Sequence, residues 1–142
     1  MSTSGKYCLW YPPNWYHIYS GGPDPQPQFE SDEGFANQNS QRLDTGVVLD
    51  VEVGGQSGDR CTGVYVNSAR TVYRTDQISF AGSPSTRYVL QASGSSTLFM
   101  SVVDVMKEST CYHVEFMSYS LDILNTTLAT DDQIVSTFSY LS

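Results

Sequence analysis

The sequence predicts an all-β fold, about eight short antiparallel strands forming a barrel or a sandwich, followed by one short C-terminal helix. Three observations predict it. The stretch from Arg87 to Leu121 reads as three strands, and the middle one is apolar on both faces: Leu98, Met100, Val102 and Met106 on one, Phe99, Val103 and Val105 on the other. Successive strand side chains point to opposite faces, so this strand is buried on both, as in a sheet covered by a second layer or curled into a barrel. Gly46 to Val53 alternates cleanly, with Val47, Leu49, Val51 and Val53 set against Val48, Asp50 and Glu52, the pattern of a half-exposed strand. After the last strand, Thr130-Asp131-Asp132-Gln133 fits a capping box, and Ile134, Val135, Phe138 and Leu141 follow at helical spacing.

Taken in order, Tyr7 to Tyr11 is apolar and aromatic until Pro12 and Pro13 break it, since proline cannot sit in a paired central strand. Asn14 to Ser20 is a strand with Trp15, His17 and Tyr19 on one face. Residues 21–44 form one long irregular segment, with Pro23, Pro25 and Pro27 followed by Glu30, Asp32 and Glu33. A loop of roughly 20 residues inside a compact domain is usually a lid or a binding loop, and this one is expected to cover a binding mouth. Gly54 to Asp59 is a turn; without a Lys it is no phosphate loop. Cys61–Val66, Thr71–Thr75 and Gln77–Phe80 follow as short strands, and Gly82-Ser83-Pro84-Ser85 returns the chain to Arg87–Gln91. Leu121 to Ala129 reads as an irregular connection, and the β-branched residues after it weaken the final helix, expected over residues 131–140.

With 142 residues the chain is one domain with enough material for a single core. Acids outnumber bases 15 to 7 for a net charge of −8, and no basic block occurs, which excludes binding to nucleic acid or an anionic membrane. No apolar run approaches the roughly 20 residues of a membrane span, so no membrane insertion is expected. Cys8, Cys61 and Cys111 are too scattered for a zinc site. One bridge and one free thiol suit a secreted chain, three thiols a cytosolic one.

Enzyme motifs are missing: there is no G-x-S-x-G, no H-E-x-x-H and no glycine loop with Lys. His17 and His113 are the two histidines, and a paired role for them would bind a metal or a porphyrin iron, or titrate as a gate. A partly buried histidine with no such role is the more frequent case for each, and no metal site is assigned. Asp50 and Glu52 share a face that reads as solvated. Asp104 and Glu115 lie on largely apolar strands, where a carboxylate needs a partner or points at a polar ligand group or an amine. Asn125-Thr126-Thr127 is a glycosylation sequon.

Asn14-Trp15-Tyr16-His17-Ile18 is similar to Gly-x-Trp-Tyr-x-Ile, the first-strand motif of the lipocalins. Tyr88-Val89-Leu90 with Leu98-Phe99-Met100-Ser101-Val102 is similar to the sixth and seventh strands. His113 to Ser120 followed by Leu124 to Phe138 is similar to the eighth strand and the C-terminal segment. The motifs are degenerate. Pro13 stands where the family has Gly, Ala92-Ser93 replaces Thr-Asp, and Ser120 or Asp122 takes the place of a basic residue, as in an outlying, arthropod-type member. The resemblance implies an eight-stranded antiparallel up-and-down barrel whose first and last strands pair, which would bring His17 near His113. It implies a secreted carrier that sequesters one small hydrophobic ligand: a pigment such as a bilin or carotenoid, a lipid, or a small amine. No cofactor is required beyond such a bound chromophore or lipid, and a homo-oligomer is left open. The expected wall is Trp15, His17, Tyr19, Tyr65, Tyr73, Tyr88, Phe99, Val103, Phe116 and Tyr119. In that barrel Cys8 and Cys111 would meet in a disulfide, leaving Cys61 free. Two other classes stand beside the carrier: a β-sandwich interaction module such as a lectin or protease inhibitor, and a small barrel cyclase or isomerase using Asp104 or Glu115.

Overall fold

The computed structural model describes residues 7–18, 28–31, 46–56, 60–62, 70–92 and 97–141. Through them run β1 (Tyr7–Cys8), β2 (Tyr16–Ile18), β3 (Gln28–Glu30), β4 (Val48–Gly54), β5 (Val72–Phe80), β6 (Ser83–Gln91), β7 (Phe99–Lys107), β8 (Thr110–Ser118), α1 (Leu121–Ser136) and β9 (Ser139–Tyr140). β2 to β8 make one antiparallel sheet in the order β2-β3-β4-β8-β7-β6-β5, and β1 pairs with β9 in a second, two-stranded sheet. Residues of β3 fall inside the stretch read as one lid; apart from these and Ser31, that stretch lies outside the described residues.

The fold is mostly β with one C-terminal helix, as the sequence indicates, but no closed barrel is found among the described residues. β2 and β5 are the outer strands of the large sheet, and the first and last strands of the chain pair with each other apart from it. The physical reason is the helix. α1 lies across one face and supplies the second layer that a barrel obtains by curling. It meets β5, β7 and β8. Its apolar stripe of Leu124, Leu128, Ile134 and Val135 shares one buried cluster with Val47, Leu49 and Val51 of the β4 region, Phe80 of β5, Val103 of β7, and Tyr112, Val114 and Phe116 of β8.

α1 begins ten residues before the expected Asp131, at Leu121. Ser120 is its N-cap, and its hydroxyl accepts from the Ile123 N–H, satisfying one of the orphan donors of the first turn. The hairpins explain two other differences. β5 and β6 are joined by Ala81-Gly82, whose φ values of 49° and 79° are those of a type I′ turn. The turn therefore sits before Ser83-Pro84-Ser85, which belong to β6. In such a turn Phe80 and Ser83 exchange hydrogen bonds, so the next pair, Ser79 and Pro84, needs no proline N–H. Asp76 stays in the sheet, so the two strands expected on either side of it are one, with a bulge between Val72 and Arg74.

Candidate functional site

The face of the sheet away from α1 carries the chemistry. Register places Glu52 of β4, His113 of β8 and Asp104 of β7 in one row, with Asp50, Glu115 and Val102 in the next. The His113 side chain is 4% exposed; its Nδ1 lies 2.6 Å from Asp104 Oδ1 and its Nε2 3.0 Å from Glu115 Oε2. Burial alone would depress the imidazole pKa, but the hydrogen bonds to Asp104 and then Glu115 outweigh it and raise the value to about 9. At neutral pH both ring nitrogens therefore carry protons and both donate to carboxylates.

Residues 60–62 cross this row. Arg60 pairs with Glu52. The Cys61 N–H donates to Asp104 Oδ2 at 2.6 Å, its carbonyl accepts from Gln56 Nε2 at 2.7 Å, and its sulfur is bonded to Cys111 of β8, with the α-carbons 5.9 Å apart. Cys61 holds φ at 55°, a left-handed conformation that non-glycine residues rarely adopt. Beside it opens a cleft of about 420 Å³, lined among others by Cys61, Ser85, Thr86, Tyr88, Asp104 and Met106. That volume falls within the range of small-molecule sites.

A second polar cluster ties the helix to the sheet. The Arg87 guanidinium, buried among the helix-side residues, donates to Asp76 Oδ2 at 2.9 Å and to Asp132 Oδ1. Burial would raise the Asp76 pKa, but hydrogen bonds from Arg87 and Arg74 hold it below the ordinary value. Burial also raises that of Asp132, against the pull of Arg87. Asp131, 1% exposed, accepts from Thr127 Oγ1 at 3.4 Å, and burial keeps its carboxyl well above the ordinary range in spite of Arg87. This cluster clamps the end of α1 to β5 and β6.

The ten expected wall residues do not share one pocket. Trp15, Val103 and Phe116 belong to the buried core cluster under α1, and Phe99 packs at its edge. Tyr88 lines the cleft on the opposite face. Tyr73 and Tyr119 are exposed, Tyr73 lying 5.9 Å from the Phe99 ring. Tyr19 and Tyr65 lie outside the described residues, and His17 is described by its backbone, in β2. β3 and β4 stand between β2 and β8, a separation of about 14 Å at ordinary strand spacing, so the sheet does not bring His17 beside His113.

The expected Cys8–Cys111 bridge is corrected to Cys61–Cys111, with Cys8 a free thiol. Strand parity is the reason. Tyr112 points to the helix side, where its ring meets Tyr140 beside β1, so Cys111 points to the other face. Asp50 is buried, not solvated. Nothing in the sequence pattern pairs Arg60 with Glu52, or Arg87 with Asp76 and Asp132, and the pattern places Asp131 and Asp132 only in a capping box. The one signal for Arg87 was a cation opening an otherwise apolar strand.

No protein-family model and no curated sequence matches the chain. Among solved structures, the chain is similar to cyanobacterial PsbP (CyanoP) from Synechocystis sp. PCC 6803, with a TM-score of 0.54 and 12% identity over 98% of this chain and 89% of that one. The likeness is one of fold. A protein from Bacteroides thetaiotaomicron VPI-5482 is similar at a TM-score of 0.51 and 10% identity, covering 99% of this chain; the chain spans 47% of that protein's length.

Proposed function

We propose that the protein is a non-catalytic binding domain that takes one small amphiphilic molecule in the cleft on the sheet face away from α1. The observation that carries this reading is the cleft itself, of about 420 Å³, with an apolar wall from Tyr88 and Met106 and hydroxyls from Ser85 and Thr86. This keeps the sequestration expected of a carrier and moves it from a barrel interior to a cleft on one face of the sheet. The burial of Trp15, Val103 and Phe116 in one apolar cluster with α1 supports that change of place. A binding role is further supported by His113, since a protonated imidazole that donates from both nitrogens is a poor proton acceptor. The Cys61–Cys111 bridge supports an oxidising, non-cytosolic setting. No described helix is long and apolar enough to cross a membrane.

The test is chemical-shift perturbation of the full chain by fatty acids, retinoids, bilins and biogenic amines. Saturable shifts centred on Thr86, Tyr88 and Met106, lost in Tyr88→Ala, are expected for the true ligand class. Shifts centred on the core residues, or no saturable binding by any of these compounds, would overturn the assignment.

A further inference from the structure

We infer that residues 60–62 form a covalently latched strap over the His113 clamp, and that thiol–disulfide exchange at Cys61–Cys111 opens it. The inference concerns the protein's own state and goes beyond what the cleft binds. Its first support is placement. The strap touches all three central strands: Glu52 on β4 through Arg60, Cys111 on β8 through the bridge, and Asp104 on β7 through the Cys61 N–H. The row it crosses is the row that holds His113 between Glu52 and Asp104.

The second support is the inequality of its anchors. The Arg60–Glu52 pair is 44% and 24% exposed, and an exposed ion pair contributes little. The bond from Gln56 is also exposed. The Cys61 N–H···Asp104 bond is partly buried, and the same carboxylate is already held by the imidazolium through its other oxygen. Against these, Cys61 stands at φ 55°, a conformation that the remainder of the strap must enforce. Among the anchors described above, the bridge is the covalent one, and it ties Cys61 directly to β8. Once the bridge is cut, relaxation of Cys61 to ordinary backbone angles pulls its N–H off Asp104.

The third support is access. Cys61 is partly exposed and lines the open cleft, whereas Cys111 is buried at 1% exposure. A dithiol reductant entering the cleft attacks the Cys61 sulfur through one thiolate, and the sulfur–sulfur bond breaks to release the Cys111 thiolate, which takes up a proton. The second thiol of the reductant then displaces Cys61 from the mixed disulfide. Two protein thiols and one cyclic reductant disulfide result, with two electrons transferred.

The experiment is amide hydrogen exchange with imidazole NMR on the full chain, before and after reduction with dithiothreitol, alongside the Cys61→Ser/Cys111→Ser double variant. The expected result is a fall of tenfold or more (roughly) in protection of the Cys61 amide. The His113 N–H signals should broaden through solvent exchange, while β4, β7 and β8 amides keep their protection to within about threefold. Oxidised Arg60→Gln, which removes a weak anchor and leaves the bridge, should keep Cys61 protected. Three results would each overturn the inference: unchanged Cys61 and His113 exchange after reduction, joint loss of protection across all strands, or release of the Cys61 amide by Arg60→Gln alone.

Discussion

At the scale of single residues, two buried titrating groups both lose stability as pH rises, one favoured by folding in its charged form and the other in its neutral form. His113 has a folded pKa of about 9 against an ordinary 6.5, so its charged form is favoured by folding. Its stabilisation is complete below pH 6.5 and is lost as pH rises through about 9, amounting to about 3 kcal/mol by linkage. His113→Gln should therefore be much less stable than the natural protein at pH 6, with the gap narrowing by pH 10. Urea titrations at the two pH values check this, and a gap that does not change with pH would count against the clamp. Asp131 depends on pH in the same direction, with the opposite charge logic. Its raised pKa means that folding favours the neutral acid, a preference fully met below 3.8 and lost as pH rises through the higher folded value. Asp131→Asn, which is neutral at every pH, should leave stability unchanged at pH 3 and raise the melting temperature above pH 7. A variant less stable than the natural protein at pH 8 would show that Asp131 is needed as an anion beside Arg87.

At the scale of elements, the ends and turns are set by single side chains. Ser120 caps α1 through the Ile123 N–H, so Ser120→Ala should cost about 1 kcal/mol and reduce helical ellipticity. Ala81 occupies a left-handed turn position that favours Asn or Gly. Ala81→Asn should stabilise the β5–β6 hairpin by roughly 0.5 kcal/mol in chemical denaturation. These two sites also show what was legible beforehand. The run β6, β7 and β8 is legible because β7 and β8 bury both faces and leave long apolar runs. The start of α1 is obscured in the sequence because Asn125, Thr126 and Thr127 are poor helix formers, so Leu121 to Ala129 reads as an irregular connection. Tertiary packing on the sheet overrides that local weakness. The β5–β6 turn was missed because Pro84 is the stronger breaker, and only strand pairing reveals that its missing N–H faces no acceptor.

At the scale of the whole molecule, strand order decides what the sequence leaves open. Periodicity identifies faces and not neighbours, so Asp104 and Glu115 read as partner-seeking carboxylates while nothing in the sequence marks His113 as their partner. Likewise three cysteines gave one bridge, and parity on β8 chose which. The same topology brings the two ends of the chain together. β1 pairs with β9, Tyr7 is 1% exposed, and its ring stacks on Phe138 at 4.9 Å with 11° between the planes. Phe138 also meets Phe80 at 4.7 Å and Tyr112 at 5.7 Å, so this stack joins the terminal sheet to β5 and β8 of the large one. Tyr7→Leu and Phe138→Leu keep apolar volume but lose ring contact, and each should cost on the order of 1 to 2 kcal/mol. Because the rings touch, the losses should not add. The double variant should be more stable than the sum of the two losses predicts by about 1 kcal/mol, within the range found for aromatic pairs. Denaturant unfolding of the four proteins measures this directly. Strict additivity would mean that Phe138 is held by Phe80 and Tyr112 alone, and that β1 is a peripheral strand that the main core does not require.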